Sequence, residues 1–222
     1  MSDRAWLATR KGLIELRRTA GRWAIAHVSF LGDPVTMLLP PCADGPHAGR
    51  MLAALNLGHF GVKLHASSDG GRQWTEVAAP AYPPQPADAP GPAWKLGLVW
   101  SLAIAPGSGT GLGTVWAGTN PGGLFRSDDF GASWQLNGPL WNDPTRPGWF
   151  GGGYDAPGIH SLCPHPARPG ELVLGISCGG VWATEDDGAT WALRTQGLQA
   201  DYMPPEQAGD GATQDPHCIA AC

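Results

Sequence analysis

Short apolar stretches alternate with glycine-containing turns along most of the chain. Three segments repeat one order: an apolar strand, a turn, a second strand, a second turn, and a third strand that begins at a tryptophan. They read MLAALNLGHFGVKLHASSDGGRQW, TVWAGTNPGGLFRSDDFGASW and ELVLGISCGGVWATEDDGATW. One more apolar stretch precedes each segment, in VTMLLPPC, VWSLAIAP and IHSLCPHP. The pattern therefore predicts four antiparallel strands per repeat.

The second turn of each repeat carries the motif Ser/Thr-x-Asp-x-Gly-x-x-Trp. An Asp in a tight turn accepts hydrogen bonds from backbone N–H groups, Gly takes a positive φ, and Ser or Thr adds a second local bond. The Trp buries its ring between sheets. We interpret the motif as a structural staple of the hairpin and not as a catalytic acid. Its residues are Ser67, Asp69, Gly71 and Trp74; Ser127, Asp129, Gly131 and Trp134; and Thr184, Asp186, Gly188 and Trp191.

The repeats predict an all-β fold, a β-propeller built from four-stranded antiparallel blades. The motif tryptophans are 60 and 57 residues apart, and four strands per period of about 50 residues are typical of propeller blades. Near the N-terminus, AWLATRKGLIELRRTAGRW keeps the strand pattern but lacks the motif Asp. We predict one partial propeller domain over residues 1–222, with about four blades. The blades are 1–30 (partial), 33–77, 98–137, 158–195 and the start of another at 215–222.

The composition supports this fold and narrows the classes of partner. Charged residues are 15% of the chain, against roughly 25% in an average soluble domain, while glycine, proline and tryptophan are abundant. The net charge of −5 provides no basic patch for nucleic acid. The N-terminal MSDRAWLATRKGL contains no apolar run, which predicts neither a signal peptide nor a membrane span and favours a cytoplasmic location. Five cysteines without a C-x-x-C pair argue against a disulfide framework or a zinc ribbon, so we expect small buried side chains.

The motif resembles the Asp-box of the bacterial neuraminidase repeat (BNR) family. SSDGGRQW, SDDFGASW and TEDDGATW carry this resemblance, and NLGHFGVKLHASSDGG, FGGGYDAPGIHS and YMPPE look like a cytoplasmic bacterial branch of the sialidase-like propellers. The resemblance covers nearly the whole chain. It implies a ring of six to seven blades, so we expect either a truncated propeller, which we favour, or an arc that closes by homo-oligomerisation.

In a propeller, the loops that enter the first strand of each blade crowd one face. Aligning these strands places Thr36, Trp100, His160 and His217 at equivalent positions. Two histidines at one register can hold a polar ligand, move a proton or share a metal ion. We expect no cofactor; the alternative is a divalent metal bound by His160 and His217, with Asp215 or His59 as the third ligand.

Two long loops supply the remaining candidate residues. LWNDPTRPGWFGGGYDAPGIHS leads to His160, and QADYMPPEQAGDGATQDPH leads to His217. The candidate catalytic residues are Tyr154, Asp155, His160, Glu206, Asp215 and His217. The candidate ligand-binding residues are Arg10, Asn56, His59, Trp100, Asn120, Arg146, Trp149 and Tyr202.

The resemblance implies a sialidase mechanism whose residues are only partly present. Such an enzyme uses a Tyr nucleophile paired with a Glu, an Asp as acid/base, and three arginines that hold the substrate carboxylate. Of the arginines only Arg10 and Arg146 fall on the expected face, and no Phe/Tyr-Arg-Ile-Pro sequence is present. We therefore predict a small polar ligand, of which a carbohydrate is the leading class, with glycoside hydrolysis left open. The alternative is a non-catalytic propeller that serves as a scaffold for protein interaction.

Overall fold

The computed structural model describes residues 3–43, 47–89, 91–106 and 113–221. Within these residues the regular structure is almost entirely β. The chain folds into two compact units, Met1–Ala79 and Pro80–Cys222.

The first unit contains two antiparallel sheets. Its strands are β1 (Arg4–Thr9), β2 (Gly12–Thr19), β3 (Arg22–Ser29), β4 (Val35–Leu39), β5 (Met51–Asn56), β6 (Val62–Ser67) and β7 (Thr75–Val77), with a 3-10 turn at Gly58–Phe60. The sheet orders are β1-β2-β3 and β4-β5-β6-β7.

The second unit also contains two antiparallel sheets. Its elements are β8 (Leu98–Ala105), β9 (Thr114–Asn120), β10 (Leu124–Ser127), β11 (Gln135–Leu136), α1 (Gly138–Trp141), β12 (Ile159–Pro164), β13 (Leu172–Ile176), β14 (Gly180–Thr184) and β15 (Ala192–Leu193), with 3-10 turns at Arg146–Gly148 and Gly211–Thr213. The sheet orders are β8-β9-β10-β11 and β12-β13-β14-β15.

Each sheet is a propeller-type blade, because strands that are neighbours in the chain are antiparallel neighbours in the sheet. The fold is therefore all-β, a β-propeller with about four blades, which confirms the predicted fold class. Residues 215–221 form no strand, and Cys222 lies outside the described residues, so a further blade that starts at 215 stays a prediction. The single domain over 1–222 also stays a prediction. No α-helix in the described ranges exceeds the four residues of α1, far fewer than the roughly 20 that a membrane-spanning helix needs.

The core of the first unit lies between its two sheets. Leu13 of the first sheet is buried with Val35, Ala53 and Leu55 of the second, and the motif residue Trp74 packs against them. Burying each of the larger aliphatic side chains contributes roughly 1.5–3 kcal/mol. This face of the β1–β3 sheet is therefore stabilised by packing against the second sheet.

The opposite face of β1–β3 is apolar and exposed. Strand pairing places Leu7, Ile14 and Val28 in one row across the sheet, and Leu16 beside Ile25 in the next. Ile25 is 65% exposed. Exposed apolar patches of this kind are typical of interaction surfaces. We call the exposed members the β1–β3 apolar face: Leu7, Trp23, Ile25 and Val28.

Glu15 places a buried carboxylate in the first sheet. Its Oε1 accepts hydrogen bonds from Arg4 Nε at 2.7 Å and Arg17 Nε at 2.8 Å. Burial alone would raise the pKa of Glu15, but the hydrogen bonds from Arg17 and Arg4 outweigh it and hold that pKa below its ordinary value. Glu15 is therefore a charged link between β1 and β2.

The core of the second unit joins its two sheets. Trp116, Leu124, Leu174 and Trp182 are buried there, with no more than 4% of any of them exposed. The strands β8 and β12 are linked directly, since Ser101 Oγ donates to the Ile159 carbonyl at 2.8 Å.

Gly118 permits this close approach of the two sheets. A Cβ at position 118 would lie 2.7 Å from Ile159 Cγ2 and nearer still to the Ile159 carbonyl and Ser101 Oγ. Only glycine leaves room for the contact.

The three motif turns share one hydrogen-bond pattern. In the second turn, Ser127 Oγ donates to Asp129 Oδ1 at 2.8 Å, while the N–H groups of Gly131 and Ser133 donate to Ser127 Oγ and Asp129 Oδ1. The first and third turns repeat these contacts. These are the contacts of a stapled hairpin turn.

The motif carboxylates are held in their ionised form. A hydrogen bond from the Gln73 N–H lowers the pKa of Asp69, and the Thr190 hydroxyl does the same for Asp186. A group that is ionised in this way accepts hydrogen bonds and is a poor proton donor, which agrees with the structural interpretation of the motif.

The cysteines are not uniformly buried. Cys42, Cys163, Cys178 and Cys218 are free thiols, of which Cys178 is buried and Cys218 is exposed. The expectation of buried side chains is therefore wrong for Cys218, and Cys222 lies outside the described residues.

Candidate functional site

Three of the first strands share an irregularity at the predicted position. The pairing register shifts between Val35 and Met37, between Val99 and Ser101, and between Ile159 and Ser161. The skipped residues are Thr36, Trp100 and His160. A residue that the strand register skips re-aims its side chain, and such bulges are frequent beside functional sites. The structure thus gives these three residues the same place in their blades, while the equivalence of His217 stays a prediction.

In the second unit, His160 lies in a cluster with Trp100, Asp215 and His217. His160 Nε2 is 3.8 Å from Asp215 Oδ1, and His217 Nε2 is 3.6 Å from Asp215 Oδ2. The two imidazole rings stack with centroids 5.9 Å apart, and the Trp100 ring meets the His160 ring at 5.6 Å. The sequence predicted that these residues would meet at one face, and the structure brings these four together.

Tyr154 extends the cluster toward solvent. Its ring lies 4.8 Å from that of Trp100, and 53% of the residue is exposed. The aromatic pair therefore offers an accessible apolar surface next to polar groups, an arrangement that suits an amphipathic ligand.

Hydrogen bonds from Asn120 anchor the loop that leads to His160. Asn120 Nδ2 donates to the carbonyls of Ala156 and Pro157 at 2.7 and 3.2 Å. A Cβ at position 158 would lie 2.5 Å from Trp100 Cζ3, so the Trp100 ring sits directly on the Gly158 backbone. Asn120, predicted as a ligand-binding residue, is placed as a support of the loop.

Two groups in the cluster are buried without hydrogen-bond partners. Neither ring nitrogen of His160 has a partner, and Asp215 Oδ1 also lacks one, because 3.8 Å exceeds a hydrogen-bond length. The His160 side chain is only 7% exposed, that of Asp215 is 14% exposed, and that of His217 is 88% exposed. Buried polar atoms without a partner are rare and costly. A ligand hydroxyl would satisfy them.

The environment favours a neutral His160. Burial lowers the pKa of His160, the Asp215 carboxylate opposes this shift, and His217 adds to it. A neutral imidazole has one donor and one acceptor nitrogen. It can therefore bind a hydroxyl group from either side.

Tyr202 is less available than its exposure suggests. Its hydroxyl donates to the Thr213 carbonyl at 2.6 Å and lies 3.6 Å from Cys178 Sγ. Burial of this end of the side chain raises the pKa of Tyr202, which makes its phenolate harder to form. Tyr202 holds the 211–213 turn, and Tyr154 is the tyrosine with a ring at the cluster.

Several predicted residues lie apart from these contacts. Asp155 and Glu206 are exposed and make no hydrogen bond or ion pair with the described part of the chain. Trp149 is 5% exposed, packs on Trp182 and donates Nε1 to Thr145. Its ring therefore supports the loop from inside and is closed to a stacking ligand.

Three candidates belong to the first unit. Arg10 and His59 are exposed, with His59 against the Phe60 ring. Asn56 Oδ1 accepts a hydrogen bond from the Gly58 N–H at 3.1 Å, which is a turn contact. A role for these residues in ligand binding stays a prediction.

No group of three or more His, Cys, Asp or Glu side chains within the described ranges is arranged to hold a metal ion. The geometry of the cluster fits hydrogen bonding better than the metal hypothesis.

Sequence reasoning missed the small residues that shape the cluster. A Cβ at position 152 would lie 2.7 Å from Asp215 Oδ2 and 3.6 Å from Cys178 Sγ, so Gly152 lets the loop approach Asp215. The available signal was the glycine run in FGGGYDAPG, in which each glycine marks a possible close approach of the backbone.

Comparison with known proteins supports the fold and does not assign a function. No family model and no curated protein matches the chain. Among solved structures, Sqt1 of Saccharomyces cerevisiae matches at 11% identity and a TM-score of 0.50, over 95% of this chain and 51% of that one.

Two further structures are similar at lower TM-scores. YCF48 bound to D1 peptide matches at 16% identity and a TM-score of 0.44, over 88% of this chain and 52% of that chain. The GH74 xyloglucanase of Xanthomonas campestris matches at 16% identity and a TM-score of 0.49, over 87% of this chain and 28% of that one. The chain thus spans about half the length of YCF48 and Sqt1.

Proposed function

We propose that the chain is a sialidase-like repeat propeller that binds a small polar ligand, of the carbohydrate class, at the cluster of Trp100, Tyr154, His160, Asp215 and His217. The observation that carries the proposal is the buried His160, whose two ring nitrogens have no hydrogen-bond partner, beside an accessible aromatic pair. The resemblance of the three turns to Asp-boxes supports the choice of ligand class.

Each side chain of the cluster has its own role in the proposed binding. His160 donates to one hydroxyl and accepts from another, while Asp215 Oδ1 accepts a further hydroxyl hydrogen. The Trp100–Tyr154 pair covers the apolar face of a sugar ring, and the exposed His217 contacts the ligand from the solvent side. A ligand with several hydroxyls would satisfy the His160 nitrogens and Asp215 Oδ1 together.

The geometry supports binding more strongly than hydrolysis. Glycosidases that use two carboxylates place them on opposite sides of the scissile bond. Among the described residues only Asp215 has its carboxylate in contact with the cluster, while Asp155 and Glu206 make no polar contact. Hydrolysis therefore does not follow from this arrangement.

Saturation-transfer NMR on the intact chain with a panel of monosaccharides, sialic acid included, tests the proposal. We expect binding by the wild type, at least a tenfold loss in His160→Ala and a smaller loss in His217→Ala, which changes an exposed residue and preserves the fold. His27→Ala, in the first sheet, is the control and should bind normally. Absence of saccharide binding, or full binding by both site variants, contradicts the proposal.

The β1–β3 apolar face supports a second candidate function, a scaffold for protein interaction. Its exposed leucine, tryptophan, isoleucine and valine side chains form a surface that water solvates poorly. If this function holds, Ile25→Lys lowers self-association, as measured by sedimentation velocity, or lowers the capture of partner proteins. Saccharide binding by the same variant should be unchanged. If Ile25→Lys sediments as the wild type does and captures the same partners, this candidate is wrong.

A further inference from the structure

The Arg146 guanidinium packs against two tryptophan rings in the second unit. Its guanidinium carbon is 3.9 Å from the centroid of the Trp141 ring and 5.8 Å from that of Trp94. The two tryptophan rings meet edge to face at 5.2 Å. This support fixes the plane of the guanidinium and leaves its N–H edges free for another partner.

The Arg146 guanidinium makes no hydrogen bond or ion pair with any described residue. Arg146 is half-buried, and burial lowers its pKa. A cation–π contact recovers part of the desolvation cost, about 0.5–2 kcal/mol, but it satisfies none of the five N–H donors. A charge that has lost water without gaining a partner is normally compensated by an opposite charge.

A cavity opens beside this group. It has a volume of about 70 Å³ and is lined by Arg146 together with Gly91, Pro92, Pro121, Gly122, Pro147, Trp149 and Pro157. No acidic side chain lines it. Prolines and glycines make up most of its lining and its one charged side chain is positive, which suits a planar anion on a short apolar stem.

Tyr82 anchors the Pro121 side of the cavity. The half-buried Tyr82 donates its hydroxyl to the Pro121 carbonyl at 2.6 Å and lies 2.5 Å from Thr119 Oγ1. The Tyr82 ring also packs on Trp141 at 5.1 Å. Tyr82 therefore contacts both Pro121 and the Trp141 ring, and these contacts pre-organise the cavity for a ligand.

We propose that Arg146 and this cavity form a binding site for a small monocarboxylate, held by a bidentate contact with the guanidinium. Carboxylate geometry matches the guanidinium fork, and the proline walls favour a ligand with a methyl or ethyl stem over a strongly hydrated anion such as phosphate. The site has one cation, and so it differs from the three carboxylate-binding arginines that the resemblance implies. It contains none of the five cluster residues and does not rest on the proposed function.

Two sources can supply such a carboxylate: a free short-chain acid, or the C-terminus of a peptide. Calorimetric titration of the intact chain at constant ionic strength with propionate, N-acetyl-dialanine, its C-terminal amide, and inorganic phosphate separates them. We expect the free acid, the peptide acid or both to bind, the amide to fail, and phosphate to bind at least tenfold more weakly. If neither carboxylate binds more tightly than phosphate, the proposal is wrong.

Variants identify the group responsible. Arg146→Gln should weaken carboxylate binding at least tenfold, and Arg146→Lys should weaken it less because the charge remains and only the fork is lost. Arg22→Gln, which removes an exposed arginine of β3, is the matched control and should bind as the wild type does. Unchanged binding by Arg146→Gln overturns the proposal.

A measurement on the wild type covers the case in which the variants fail to fold. The Nε–H resonance of Arg146 should shift on addition of propionate and remain in place on addition of propionamide. If this resonance does not respond to propionate, the site is not at Arg146. Loss of saccharide binding in His160→Ala leaves all these results unchanged, so the two proposals fail independently.

Discussion

Replacing Gly158 with alanine tests whether the loop before His160 positions Trp100. The Gly158 backbone lies against the Trp100 ring, and a Cβ at this position would be 2.5 Å from Trp100 Cζ3. No left-handed φ is involved, so an alanine is compatible with the backbone and the clash with the ring is the whole effect. The substitution removes no group that could touch a ligand.

The size of the effect follows from the shortfall in space. Ordinary contact begins at 3.4 Å, and Trp100 Cε3 would lie even nearer to the added Cβ than Cζ3 does, so the ring or the loop must move by about 1 Å. Overpacking of this kind costs roughly 1–3 kcal/mol. We expect the free energy of unfolding to fall by about 2 kcal/mol, which corresponds to a fall in Tm of about 4–8 °C for a chain of this length. Saccharide binding should weaken in parallel, because Trp100 would leave Tyr154 and His160.

Urea unfolding followed by far-UV circular dichroism measures the stability. Gly153→Ala is the matched control: it lies in the same loop, and its added Cβ meets nothing within 4 Å. A double-mutant cycle with Trp100→Ala then isolates the clash, since Gly158→Ala should cost almost nothing once the ring is gone. If Gly158→Ala is no more destabilising than Gly153→Ala, or if its cost persists without Trp100, the placement of the ring is wrong.

Three further predictions concern stability. Asp129→Asn removes an ionised acceptor of turn hydrogen bonds and should cost about 1 kcal/mol in urea unfolding, whereas Asp155→Asn should change stability by less than about 0.5 kcal/mol. Glu15→Gln weakens the hydrogen bonds from Arg4 and Arg17 and should cost about 1–3 kcal/mol, with the greater loss at neutral pH than at pH 3; an equal loss at both would contradict the charged link. Because the folded pKa of His160 lies below its ordinary value of 6.5, the unfolded state binds more protons, so stability is complete above about pH 6.5 and falls as the pH falls below it. The His65 pKa is lowered too, so the test is the difference between wild type and His160→Gln, and parallel pH profiles would refute a role for His160.

The strands and hairpin turns could be predicted because their signals are local. A motif such as that around Asp129 contains its own hydrogen-bond partners within six residues, and the apolar pattern of each strand reports its own burial. The same local alignment gave Thr36, Trp100 and His160 one position, and the shared register shift agrees with it. Local rules could not show that Trp149, in a loop, is buried, because its partner Trp182 lies on β14 and is remote in sequence.

The environment of His160 could not be predicted in the same way. Asp215 comes from a stretch that follows the last strand, and nothing in its own sequence fixes where that stretch runs. The structure anchors it by contacts that are remote in sequence: the Gly180 N–H donates to the Gln214 carbonyl at 2.9 Å, and the Ile219 N–H donates to Ser161 Oγ at 2.8 Å. Side-chain and backbone contacts between distant segments leave no periodic signal.

The motif aspartates and Asp215 differ in the hydrogen bonds that their carboxylates make. The motif carboxylates accept hydrogen bonds from their own turns, which gives them a structural role however often the motif recurs. Asp215 is held in place by the backbone on both sides, at Gln214 and Ile219, while its Oδ1 stays buried and without a partner. An unfilled acceptor at a position that the fold keeps rigid is what a binding site requires. The acceptor that a ligand would use therefore lies outside the motif turns, at Asp215 beside His160.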